Sequence, residues 1–200
     1  MKRLRTYKVF MGIYLLLLLL LVMVACSFPA SGKKEKANSK LNFPKAVYAS
    51  TTDSLPFTFE LSNQAKFTWQ MNKPGEYFCN VIYPSLNAQL YCTYHAITYD
   101  KFRDFAEESR KMAYQHSTVA TAINEKRYDN DLSHVHGILY DIQGNVATPV
   151  QIALTDSNHY FFNASLYFNM TPDVDSIAPA LNYIRKDIIR IMESFKVKSH

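Results

Sequence analysis

Two periods alternate along the chain. In PFTFEL (56–61), apolar Phe57, Phe59 and Leu61 alternate with Thr58 and Glu60, the period of two that marks a half-buried strand. KFTWQM (66–71) alternates in the same way, and EYFCNVIYP and AQLYCTYHAI then form two strand-like runs joined by Pro84-Ser85-Leu86-Asn87. A hairpin closed by that four-residue loop sets Tyr83 against Ala88 and Cys79 directly opposite Cys92. From Thr98 the period lengthens: Phe102, Phe105, Ser109, Met112, His116, Val119 and Ile123 recur at three and four, with charged residues on the other faces. This predicts an amphipathic helix, followed by a polar loop over 124–133.

Strand patterns return at 136–142, 146–156 and 159–168, with Gly144-Asn145 as a tight turn between the first two. In the last of them Tyr160, Phe162, Ala164, Leu166 and Phe168 share one face, and Phe161, Asn163, Ser165 and Tyr167 the other. A second helix opens at Asp173 or Asp175, carries Pro179 near its first turn, and repeats Ile177, Leu181, Ile184, Ile188, Ile191 and Phe195 at four and three. Its stripe is expected to pack on the sheet. The pattern as a whole predicts an α+β fold: a single domain with an antiparallel β-sheet and amphipathic helices packed on it.

The amino terminus has neither period. Lys2, Arg3, Arg5 and Lys8 precede an uncharged apolar run from Phe10 to Ala25, the layout of a secretory signal. The run is at the short edge of the roughly 17–25 residues a membrane-spanning helix needs, so cleavage is expected. Met23-Val24-Ala25-Cys26 is similar to a bacterial lipobox, which makes Cys26 the lipid-attachment residue. Acyl chains there replace the leader as the anchor, each buried methylene contributing about 0.8 kcal/mol. Residues 26–42 are small, polar and charged and read as a flexible tether. The expected organisation is a signal peptide over 1–25, a lipidated tether over 26–42 and one folded domain over 43–200.

Charge alters the picture once the leader is removed. Its four basic residues taken from the 22 in the chain leave 18 against 17 acidic, so the basic pI of the full chain belongs mostly to the signal. Nucleic-acid binding, which needs a concentrated basic surface, is not expected. Export also places Cys79 and Cys92 in an oxidising compartment, where a cross-strand disulfide and two buried thiols are both open readings.

Candidate chemistry is sparse. His134 and His136 are two apart and on a strand would share a face, but no ligand set of metal spacing joins them, and they are read as surface histidines. Asp156, Ser157 and His159 look like triad residues, yet they are adjacent and lack a G-x-S-x-G elbow, so TDSNH is read as an Asx-type turn. His116 is read as a buried, hydrogen-bonded residue holding the first helix to the sheet. Gly75, Gly137 and Gly144 are too scattered for a phosphate loop. No catalytic residue, metal or cofactor is assigned.

GILYDIQGNVATPVQIALTDSNHYFFNASLYFN (137–169) and PDVDSIAPALNYIRKDIIRIMESFKV (172–197) resemble the gliding motility lipoprotein GldD family of Bacteroidetes, carried by the GN-A-P-Q-LTDS run and the LYFN-P-DSI-P run. The resemblance implies a non-enzymatic envelope lipoprotein. It would be lipid-anchored to a membrane, face the periplasm, and support gliding motility and the type IX secretion machinery beside other envelope lipoproteins or membrane proteins. A binding module for a lipid or glycan, cupped by Tyr160, Phe162, Tyr167 and Phe168, is the alternative, and a hydrolase built on His116, His136, Asp156 and His159 ranks last. The element order is also similar to the PsbP-type α-β-α sandwich. Asp53-Ser54-Leu55 resembles the short O-glycosylation motif of these bacteria, which makes Ser54 a candidate for modification, and Asp175-Ser176-Ile177 resembles it less.

Overall fold

A computed structural model describes residues 43–51, 54–169 and 174–198. The leader, Cys26, the tether and Asp173 lie outside them. The elements, in chain order, are β1 (Tyr48–Ser50), β2 (Phe57–Thr58), β3 (Glu60–Ser62), β4 (Lys66–Lys73), β5 (Glu76–Tyr83) and β6 (Ala88–Ala96), then α1 (Tyr99–Tyr114). They continue with β7 (Ala120–Asn130), β8 (Val135–Gly144), β9 (Val150–Thr155), β10 (Tyr160–Phe168), α2 (Val174–Ser194) and β11 (Lys196–Val197). Seven strands form one antiparallel sheet in the order β4-β5-β6-β10-β9-β8-β7. It consists of two meanders joined where β10 pairs with β6, Ala164 standing opposite Cys92.

Alternation along the strands sorts the side chains into two layers. Leu139, Ile152, Leu154, Phe162, Leu166, Val81 and Leu90 point to one face and meet Ile184, Ile188, Ile191 and Met192 of α2 in the main core. Tyr140 and Ile142 point to the other face and meet Ala113 of α1. The fold is thus helix on sheet on helix, the α+β domain that the periods predict. Its densest region is aromatic: Phe57 stacks on Tyr94 at 4.7 Å, and Phe195 lies 4.9 Å from Phe162 and 5.7 Å from Phe57. Two ion pairs pin α2 from its sides, Arg185 to Asp141 at 2.6 Å and Arg190 to Glu60 at 2.6 Å. Within the helix–sheet interface lies a buried carboxyl, Asp187. Its Oδ1 accepts a 2.6 Å hydrogen bond from the Tyr48 hydroxyl, which ties β1 to α2.

The hairpin of 76–96 has the expected register, with Tyr83 opposite Ala88 and Cys79 opposite Cys92. Both cysteines are buried thiols that are not joined in a disulfide, and Cys92 donates to the Leu90 carbonyl at 3.7 Å. Pro84 opens the turn and Asn87 closes it at φ 49°.

Four details differ from the sequence reading. The first helix stops at Tyr114 rather than running to Ile123. Residues 115–119 turn, held by the Val119 and Ala120 amides on the His116 carbonyl, and the chain re-enters as a strand. That strand, β7, occupies most of the expected loop and pairs with β8 from Ala120 to Asn130. As a charged edge strand it is held by backbone hydrogen bonds and displays no apolar alternation of its own. His134 is not on a strand: it closes the turn before β8 at φ 50°, so it and His136 do not share a sheet face. PFTFEL is not one strand either, because β2 pairs with β11 while β3 pairs with β1.

Gly144 is required where β7 begins. Its φ is 109°, and a Cβ there would lie 3.0 Å from the Thr121 amide nitrogen.

Candidate functional site

α1 is too short to cover its side of the sheet. Phe105 packs on Phe161 at 5.7 Å and Phe102 on the same ring at 6.4 Å, so the helix sits over β8, β9 and β10. Two rows of side chains run out from beneath it across four strands: Asn163, Thr93, Phe78 and Gln70, and Ser165, Tyr91, Asn80 and Thr68. None of the eight carries a charge at neutral pH.

Where these rows meet α1 there is a cavity of about 500 Å³, lined by Tyr91, Thr93, Met112, Asn163, Ser165 and Tyr167, with Phe168 and Asn169 at its end. Tyr91 and Tyr167 meet edge to face at 5.4 Å, and Tyr91 is 48% exposed. Farther out on the same face, Gln89 donates to Asn80 at 2.9 Å. A second cavity of about 480 Å³ opens on the opposite flank of α1, with Phe102, Ser109, Ile138 and Phe161 in its wall and Arg110, Arg127 and His136 at its edge. Arg110 is 3.7 Å from Glu125, and His136 hydrogen-bonds Asp129 at 2.9 Å.

The residues singled out for chemistry are structural where the structure describes them. Asp156 is the turn acceptor the sequence predicts, its Oδ1 taking the amides of Asn158 at 2.9 Å and His159 at 2.7 Å. Burial acts to raise its pKa, but these hydrogen bonds outweigh it and hold the carboxyl below the ordinary range. His159 pairs with the other carboxylate oxygen at 2.7 Å and otherwise faces solvent. His116 is half-buried just after α1 and bonds the Thr148 hydroxyl at 2.6 Å, which in turn accepts from Gln151 at 2.9 Å. It ties the turn after the helix to the β8–β9 connection and, through Gln151, to β9, but from a half-buried place outside the helix rather than buried on its stripe; desolvation lowers its pKa. Among the described residues no three His, Cys, Asp or Glu side chains gather as a metal site requires. Burial raises the Cys79 thiol to about 12, and it raises Cys92 as well, which makes both poor nucleophiles. Ser54 is exposed in a turn before β2, and Ser176 lies exposed in the first turn of α2.

Of the four aromatic residues expected to cup a ligand, Tyr160 and Phe162 are core residues, 3% and 0% exposed beneath α2. Tyr167 and Phe168 do line the first cavity. Its other members, Tyr91, Thr93, Asn163 and Ser165, escape sequence reasoning because their common feature, a face no helix covers, depends on where α1 ends.

The fold and these surfaces define a class: a small helix–sheet–helix sandwich with cavities on either flank of its first helix. No curated protein matches the chain significantly. A family model does, that of the gliding motility lipoprotein GldD, over residues 30–197. The chain belongs to this family and is a gliding-motility-associated lipoprotein, a type of protein held at a membrane of the cell envelope.

Proposed function

We propose that the protein is a non-enzymatic accessory lipoprotein, anchored through acylated Cys26, whose domain faces the periplasm and supports the gliding and type IX secretion machinery by docking on other envelope components. The family match over the whole folded domain carries this reading. It is supported by the use of Asp156, His159 and His116 in turn and helix anchoring, which leaves them poorly placed for general acid–base work. It is also supported by the Met23-Val24-Ala25-Cys26 sequence ahead of a polar stretch.

The test is in-cell crosslinking of the tagged protein, purification from membranes and identification of what accompanies it, beside the Cys26→Ala variant. Gliding or secretion components captured by the wild type, and a variant lost from the membrane fraction with loss of motility, are expected. Full motility of Cys26→Ala would remove the tethering claim. Recovery of the wild type alone would remove the docking claim.

A further inference from the structure

We propose that the cavity between α1 and strands β6 and β10 binds a neutral hexopyranose oligosaccharide. The inference rests on the cavity and is independent of the accessory role. At about 500 Å³ the space falls within the roughly 300–1,000 Å³ of small-ligand sites.

Its polar groups specify the ligand more closely than its size does. Among the described residues, the side chains of Thr93, Asn163 and Ser165 have no hydrogen-bond partner, and Ser165 is only 7% exposed. Ser165 lines the cavity wall between Asn163 and Tyr167, with its hydroxyl available to a ligand there. A ligand that displaces water from these groups is favoured only if it pairs all three of them.

Register fixes their arrangement. Asn163 stands opposite Thr93, and Ser165 opposite Tyr91, so the polar groups occupy neighbouring positions on one face of adjacent strands. An amide both donates and accepts, as does each serine or threonine hydroxyl. A ring bearing several hydroxyls matches such a set, because each of its oxygens also does both. The aromatic pair supplies the other half of the recognition. Tyr91 and Tyr167 meet at 84°, which uses the edge of one ring and a single face of the other. The electron-rich faces left over suit the weakly positive C–H surface of a pyranose.

The same features exclude two rivals. An anion or cation would enter a cavity whose lining carries no opposite charge, at an uncompensated desolvation cost. An acyl chain would leave Asn163 and Ser165 unpaired. The uncharged side chains Asn80, Gln70 and Thr68 extend outward along the same two rows, so a second and third sugar ring can follow the first across the sheet.

The experiment is saturation-transfer NMR on the full-length lipoprotein in a sugar-free zwitterionic detergent, with millimolar maltotriose, cellotriose and trigalacturonate. Transfer to the ring C–H protons of at least one neutral trisaccharide, and none to trigalacturonate, is expected. Tyr91→Ala and Asn163→Ala should each weaken that binding at least about tenfold with the circular dichroism spectrum unchanged. Arg127→Ala, at the edge of the other cavity, should leave it intact. Failure of both neutral sugars to bind, equal binding of trigalacturonate, or wild-type binding by a folded Tyr91→Ala would each overturn the proposal.

Discussion

Replacing Phe195 by alanine should remove about a quarter or more of this domain's stability. The ring follows the last turn of α2, is 1% exposed, and touches four others: Phe162 at 4.9 Å, Tyr160 at 5.5 Å, Phe57 at 5.7 Å and Phe59 at 6.3 Å. It therefore joins α2, β10 and the β2–β3 segment in one cluster. Truncating a buried phenylalanine costs about 3–5 kcal/mol, from lost transfer free energy and the cavity left behind. Four ring neighbours on two other segments limit how far the site can collapse, so about 4 kcal/mol is expected, against a total of about 5–15 kcal/mol for a domain.

At about 2–4 °C per kcal/mol for a chain of this size, the Tm should fall by about 8–16 °C. Urea unfolding followed by circular dichroism measures the free-energy loss and a thermal scan the shift. Phe195→Leu, which preserves most of the volume, should lose less than about 1.5 kcal/mol. Tyr99→Ala, at a 74% exposed position, should change stability by no more than about 0.5 kcal/mol. A loss below about 1.5 kcal/mol for Phe195→Ala, or one equal to that of the leucine variant, would refute the idea that this ring ties the three elements together.

Two further outcomes follow from the same interior. A Cβ on Gly137 would lie 2.5 Å from Leu154 Cδ2 and 2.7 Å from the Ala153 carbonyl oxygen. Gly137→Ala should therefore cost about 1–3 kcal/mol in urea unfolding, and a neutral result would show that β8 and β9 can part easily. Asp187, 1% exposed, has its pKa raised by desolvation, which outweighs the lowering effect of the Tyr48 and Tyr83 hydroxyls beside it. Between the ordinary carboxylate value and its raised folded value, the folded state holds a proton that the unfolded chain has released, so this group's contribution to stability falls as pH rises through that window. Asp187→Asn keeps an oxygen for Tyr48 and removes the titration. Its stability relative to wild type should improve from pH 4 to pH 7, and an equal difference at the two values would contradict the assignment.

Much of the architecture was legible because burial leaves a local record. The Cys79–Cys92 register follows from a hairpin whose loop length is visible, and the stripe from Ile177 to Phe195 needs only one helix laid on one apolar surface. The Asp156 turn is encoded within five residues.

Elements defined by their neighbours were not legible. β7 is a strand because β8 offers it backbone hydrogen bonds along its length, and such bonds place no demand on side-chain pattern. The division of 56–61 between β3 and β2 depends on β1 and on β11, a strand more than a hundred residues later.

The candidate site shows the same division most clearly. Alternation in β10 correctly separated Tyr160 and Phe162 from Asn163, Ser165 and Tyr167, but it could not say which face would be covered. Helix packing made that choice. The long apolar stripe of α2 buries most of one face, while α1, ending at Tyr114, leaves part of the other open. Periodicity along a chain records that a residue is paired or buried on one side; only the packed fold decides which side remains free to meet a partner.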